Sequence, residues 1–129
     1  NVVFTADRGH EIYQSALTQD GELLAVGGSS LWLFVRDGSG WQNVPVQTQP
    51  ATQEERYRVA FLPGSQVLLA ANNQRLSFYA INPRQQTMLL QALTLPPALD
   101  RLVSLELTSR GDLIAIGSAN GLIHIYGIP

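Results

Sequence analysis

Ser15 to Val35 reads SALTQDGELLAVGGSSLWLFV, Val59 to Ala80 reads VAFLPGSQVLLAANNQRLSFYA, and Leu105 to Gly127 reads LELTSRGDLIAIGSANGLIHIYG. The three stretches align. The last apolar residue before the first turn falls at Leu17, Leu62 and Leu107, separated by 45 and 45 residues, and the first inward residue of the third run falls at Leu31, Leu76 and Ile123, separated by 45 and 47. Within each stretch apolar residues recur at period two in short runs, and Gly, Asp, Asn and Pro punctuate them. No window of helical length shows a convincing period of 3.6. The chain therefore reads as all-β, built from a repeated unit of short strands.

Outward from these stretches, the same reading gives twelve strand candidates. They are Val2–Ala6, Ile12–Thr18, Glu22–Val26, Leu31–Arg36, Trp41–Val46, Tyr57–Leu62, Val67–Ala71, Arg75–Ile81, Met88–Leu93, Leu102–Thr108, Leu113–Gly117 and Leu122–Tyr126. Gln19-Asp20-Gly21 and Asp37-Gly38-Ser39-Gly40 supply the backbone conformations that hairpin turns require. A period of 40 to 45 residues with four short strands per unit is the signature of a propeller blade. The units fall at approximately 1–46, 47–93 and 94–129 within a single partial propeller. Val2–Ala6 is expected to be the outer strand of a neighbouring or last blade.

The units resemble the WD-repeat family. Unit one keeps Gly9-His10, Asp20-Gly21 and Leu24-Ala25-Val26-Gly27, and unit three keeps Gly111, Ile114-Ala115-Ile116-Gly117 and Ser118-Ala119-Asn120-Gly121. The terminal Trp-Asp is replaced by Phe34-Val35, Tyr79-Ala80 and Tyr126-Gly127, which retains an aromatic each time and the acid never. The repeats are degenerate. The polar network that the family builds from His, Asp, Ser or Thr and Trp is incomplete, because unit one has His10 with Ser29-Ser30 at the Asp position and unit three has Asn120 without a matching His. Apolar packing between blades is left to hold the fold. Leu31/Leu33, Leu76/Phe78 and Ile123/Ile125 should share one sheet face, and Trp32, Ser77 and His124 the other.

Three blades cannot close a ring. The resemblance implies that the ring is completed by further blades, from the same parent chain or from a second copy. The first residue, Asn1, is not Met, which reads as a processed or truncated chain. Either way, apolar sheet faces and unpaired edges invite association.

Composition bounds the function. The chain has 129 residues, no cysteine, a net charge of −2 and only 14 % charged residues, and its eight basic residues are all Arg. Disulfide frameworks and thiolate metal sites are excluded, and there is no basic field for nucleic acid. No apolar run reaches membrane-spanning length. A cytoplasmic setting is the default expectation. Arg56-Tyr57-Arg58 resembles a nucleic-acid contact in isolation, but Glu54-Glu55 cancel its charge and Tyr57 opens an inner-strand pattern. His10 and His124 stand alone, and Glu54-Glu55 lack a nucleophile, a His or metal-ligand spacing beside them. No phosphate loop, dinucleotide pattern or calcium loop is present. Trp32 and Trp41 read as packing.

These observations lead to a non-catalytic protein-interaction scaffold with no catalytic residue, cofactor or metal, and no nucleic-acid or membrane partner. A protein partner is expected to dock on one rim, formed by Arg8, His10, Glu11, Ser29, Ser30, Glu55, Arg56, Asn73, Arg75, Asp100, Arg101 and Asn120. The connections Gln47–Gln53 and Thr94–Leu99, which replace the Gly-His dipeptide, are the most function-relevant departures from the family pattern. The alternative is a segment of a catalytic propeller, of the quinone-dependent dehydrogenase or hydrolase type, which needs converging His, Asp or Arg in the central channel.

Overall fold

The structure, a computed structural model, describes residues 2–7, 9, 11–38, 40–46, 48, 56–82 and 86–128. Its elements are β1 (Ile12–Leu17), β2 (Leu23–Gly28), β3 (Leu31–Asp37), β4 (Gly40–Val44), β5 (Arg58–Phe61), β6 (Val67–Ala71), β7 (Arg75–Ile81), β8 (Thr87–Thr94), β9 (Leu102–Leu107), β10 (Leu113–Ser118) and β11 (Ile123–Gly127). They form three antiparallel sheets in the orders β1-β2-β3-β4, β5-β6-β7-β8 and β9-β10-β11. These are two complete blades and a third without an outer strand, and the arc is open. The innermost strands β1, β5 and β9 lie side by side, which places them around the axis of the arc. Among the described residues no helix is long and apolar enough to cross a membrane.

Register shows which residues are equivalent. Leu17, Phe61 and Leu107 close the innermost strands opposite Leu24, Leu68 and Ile114, so the true separations are 44 and 46 residues. Leu62 lies one place further on. It occupies the turn position of Thr18 and Thr108, and the N–H of each of the three donates to the carbonyl that begins the next strand, at 3.0, 3.0 and 3.1 Å. The later anchor holds: Leu31, Leu76 and Ile123 pair with Gly27, Ala71 and Gly117.

Packing follows from the two faces of each sheet. Leu23, Ala25, Leu31, Leu33 and Val35 of the first sheet meet Val59, Leu68, Ala70, Tyr79 and Ile81 of the second. Leu69, Ala71 and Leu76 on the opposite face of the second sheet meet Leu102, Leu105, Ile114 and Ile116 of the third. The core is thus two parallel apolar layers between blades. The equivalent face of the third sheet has no layer: Leu33 is 0 % exposed, whereas its counterpart Ile125 is 67 % and Ile123 is 71 % exposed. A close approach fixes the junction of the first two blades. A Cβ on Gly27 would run into the Tyr57 carbonyl, so only glycine fits there.

Val2–Ala6, expected as a strand, forms none. A strand needs a partner edge for its backbone hydrogen bonds. This segment instead gains cover through Phe4, whose ring lies 5.5 Å from Phe34 and is stacked 5.4 Å from Trp41. Trp41 is therefore a packing residue.

Candidate functional site

Antiparallel pairing decides which loops share an end of the blades. Ile12 opens β1 opposite Gly28, the last residue of β2, so the segment before β1 and the β2–β3 turn lie at one rim. Arg58 faces Ala71 and Leu102 faces Ser118, which puts the segments before β5 and β9 and the β6–β7 and β10–β11 turns at the same rim.

Hydrogen bonds tie this rim from blade to blade. The Tyr57 N–H donates to Gly28 O at 2.8 Å, and the Leu102 N–H to Asn73 Oδ1 at 3.0 Å. In the third blade the Ala119 N–H donates to Arg101 O at 2.8 Å, and Asn120 Nδ2 donates to Ala98 O at 2.8 Å. Buried Asn72 shapes the β6–β7 turn, its Oδ1 accepting from the N–H groups of Gln74 at 2.9 Å and Arg75 at 2.8 Å. Ser118, also buried, occupies the equivalent place and bonds the Asn120 side chain.

Of the residues expected on the rim, Glu11, Ser30, Asp100, Arg101 and Asn120 are exposed, and Ser29, Arg56, Asn73 and Arg75 are half-buried. Arg101 N–H donates to the Asp100 carboxylate at 2.7 Å. Arg8, His10 and Glu55, like Glu54 and most of Gln47–Gln53, lie outside the described residues. The Thr94–Leu99 connection borders a hollow of about 380 Å³ that also includes Asn73, Arg75 and Asp100.

Tyr13 is a rim residue that sequence reasoning missed. The Arg56 and Arg58 guanidinium carbons lie 5.6 and 5.7 Å from its ring centroid, and Arg58 Nη1 donates to its carbonyl at 2.9 Å. Tyr57, the aromatic between the two arginines in sequence, is instead buried in the first inter-blade layer. The 44-residue spacing from Tyr13 to Tyr57 is the signal that could have found it.

The opposite rim is built from the β1–β2, β5–β6 and β9–β10 turns. Residues 17–20 and 61–66 border a hollow there of about 720 Å³. Thr18 Oγ1 donates to Asp20 Oδ1 at 2.6 Å, and the Glu22 N–H donates to the same oxygen at 3.0 Å. The Thr18 hydroxyl foremost, then the Glu22 amide, holds the Asp20 carboxyl below the ordinary carboxylate value. Thr108 and Asp112 repeat the arrangement in blade three, at 2.5 Å. These side chains are committed to their own turns.

His124 lies half-buried with its ring 6.3 Å from that of Tyr126. Among the described residues no group of three or more His, Asp or Glu could hold a metal ion.

No protein-family model matches the chain, and no curated protein matches it. Among solved structures, the chain is similar to the β-propeller domain of Cps50 (Swd1) from Myceliophteria thermophila, with a TM-score of 0.75 at 15 % identity. The likeness covers 97 % of this chain and 40 % of that one. The fold is that of a β-propeller, of which these residues make an arc.

Proposed function

We propose that this chain is a WD-like propeller segment that acts as a non-catalytic protein-interaction scaffold, with its partner docking on the rim that carries Ser30, Arg56 and Asn120. The observation that carries this reading is the cross-blade bonding of that rim, in which Gly28 O and Asn73 Oδ1 each accept from the next blade and fix neighbouring loops in one geometry. Loops held on a rigid β scaffold form a recognition surface at small ordering cost. The likeness to the Swd1 β-propeller domain supports the architecture on which it rests.

The same reading assigns the open face of the third sheet to ring closure. Ile123 and Ile125 stand exposed where Leu31 and Leu33 of the first blade are buried, and on the other face of the third sheet an apolar cleft of about 360 Å³ runs between Phe78, Leu90 and Leu93 of the second blade and Ile114, Tyr126 and Ile128 of the third. A further blade would cover Ile123 and Ile125, and an outer strand beside β11 would cover the cleft.

A photo-crosslinking side chain at Ser30 or Asn120, compared with one at Ser65 on the opposite rim, tests the scaffold reading in the cells that make the protein. One protein captured from both Ser30 and Asn120 and not from Ser65 is the expected result. Equal yields from the two rims, or no protein adduct from either, would overturn it.

A further inference from the structure

Each sheet turns the same face to the sheet that follows it. Leu31 and Leu33 of the first sheet are buried against the second, and Leu69, Ala71 and Leu76 of the second against the third. Ile123 and Ile125 hold the places of Leu31 and Leu33 in the third sheet, and no described residue covers them. The opposite face of the first sheet has no preceding sheet among the described residues, and Leu24, Val26 and Trp32 are only half-buried there.

Phe4 lies on that face, its ring 5.5 Å from Phe34 and 5.4 Å from Trp41. Register makes Tyr79 and Thr87 the equivalents of these two residues. Leu68 faces Tyr79 as Leu24 faces Phe34, and Ile81 faces Thr87 as Arg36 faces Trp41. At Tyr79 and Thr87 the second blade meets the end of the first blade's outer strand: Val44 and Val46 share a layer with Tyr79, and Thr87 Oγ1 donates to Pro45 O at 3.2 Å. Val2–Ala6 therefore lies against the first blade where the outer strand of a preceding blade belongs.

The third sheet lacks such a strand. Among the described residues β11 pairs only with β10, so its other edge carries unpaired backbone groups, and the apolar cleft between Phe78, Leu90, Leu93 and Tyr126 runs beside it. In an extended segment alternate side chains point to opposite sides. With Phe4 turned to the first sheet, Val3 and Thr5 face away from it, and Val3 is 83 % exposed. Both are β-branched and uncharged, and no charged residue lines the cleft. The segment's own β11 is out of reach while Phe4 holds it there, because the first and third sheets pack on opposite faces of the second.

We infer that a second copy of this chain seats its first sheet on the open face of the third, with its Val2–Ala6 paired to β11 as that sheet's outer strand and Val3 and Thr5 turned into the cleft. The contact repeats the two inter-blade layers present within the chain. Made at both ends, it joins two sets of three sheets into a ring of six, within the about four to eight blades of closed propellers. This rests on the propeller reading above and names the donor of the closing strand.

Sedimentation equilibrium of the full chain over a thousandfold range of concentration is the first test, and twice the chain mass at the upper end is the expected result. Val3→Asp places a charge in the cleft of the pair but touches little in the single chain, so it should weaken pairing about tenfold or more. Gln19→Asp, the same charge change at an exposed position on the β1–β2 turn, should leave pairing unchanged. The chain has no cysteine, so a nitroxide on Ala6→Cys is a single label. Mixed with isotope-labelled unmodified chain, it should broaden the backbone amides of residues 122–126 in the labelled copy, whereas a nitroxide on Ser65→Cys should not.

The mass of one chain throughout the range would overturn the inference and leave the β11 edge to a strand of another polypeptide. Pairing that Val3→Asp and Gln19→Asp weaken alike, or pairing without broadening at residues 122–126, would overturn it as well. Loss of the scaffold reading shows separately, as absent or rim-indifferent crosslinking from Ser30 and Asn120.

Discussion

Leu33 and Ile125 hold the same place in their blades, opposite Ala25 and Ala115, yet one is sealed between sheets and the other faces outward. Truncating each to alanine measures how much of the fold depends on inter-blade layers. Leu33 is 0 % exposed among Leu23, Val59, Leu68 and Tyr79, so Leu33→Ala removes a full transfer contribution and leaves a cavity, about 2–5 kcal/mol. Ile125 is 67 % exposed, so about a third of the ~1.5–3 kcal/mol for burying such a side chain is at stake, about 0.5–1 kcal/mol. Urea unfolding followed by tryptophan fluorescence reads both. With a slope of about 1–3 kcal/mol per molar for a domain of this size, Leu33→Ala should lower the midpoint by at least ~0.7 M, and Ile125→Ala by about half as much or less at the same slope. The measurement is repeated over a hundredfold range of protein concentration, because an association that covers the third sheet would make Ile125→Ala costly only at high concentration. A loss for Ile125→Ala equal to that for Leu33→Ala at every concentration would refute the open-face account, since it would require a layer over Ile125 within the single chain.

Three further outcomes follow from the turns and junctions. Gly27→Ala, which drives a Cβ into the Tyr57 carbonyl, should cost about 1–3 kcal/mol by forcing the first two blades apart, read as a lower urea midpoint at unchanged slope. Asn72→Ala removes the acceptor of the Gln74 and Arg75 amides in a buried turn and should cost about 1–3 kcal/mol, while Asn72→Asp, which keeps the acceptor, should recover most of it at neutral pH. The Asp20 carboxyl should titrate below an ordinary aspartate in a carbon-detected pH series, and Thr18→Ala should move it back up. Its folded value being the lower one, the Asp20 interaction is present above the unfolded value and is lost as the pH falls through the folded value; a Thr18→Ala titration identical to wild type would contradict the hydroxyl as the main cause.

Strand positions were legible because alternation and turn chemistry agree along most of the chain. Arg75–Ile81 is the clearest case, with Asn72-Asn73 before it and apolar residues on both faces, as a strand between two blades requires. Alternation alone was insufficient at Val2–Ala6, because a ladder depends on a neighbouring edge that a linear pattern does not reveal. The same limit applies to burial. Ile123 and Ile125 carry the core pattern of Leu31 and Leu33, and only the arrangement of blades shows that nothing here covers them. At the rim, Arg56 and Arg58 were visible as a basic pair, but the aromatic they share is Tyr13 from the preceding blade. The alternation that marked Tyr57 as an inner-strand residue is consistent with its place in the core, and hence with its absence from the basic cluster.

The two rims differ in a way that bears on where recognition belongs. At the rim of the β1–β2 and β9–β10 turns, Thr18 with Asp20 and Thr108 with Asp112 bond within their own loops, so these bonds shape each turn without tying it to the next. At the other rim the bonds at Gly28 O and Asn73 Oδ1 run to the next blade, so the loops are fixed relative to one another. A partner spanning several blades gains from the second kind of order, because the spacing between its contact points is set before it arrives. A change that loosens one inter-blade bond, such as Asn73→Ala, should therefore weaken a spanning partner more than a partner confined to one turn. If both weakened alike, the mutual fixing of the loops would have no role in recognition, and the choice of this rim would lose its physical ground.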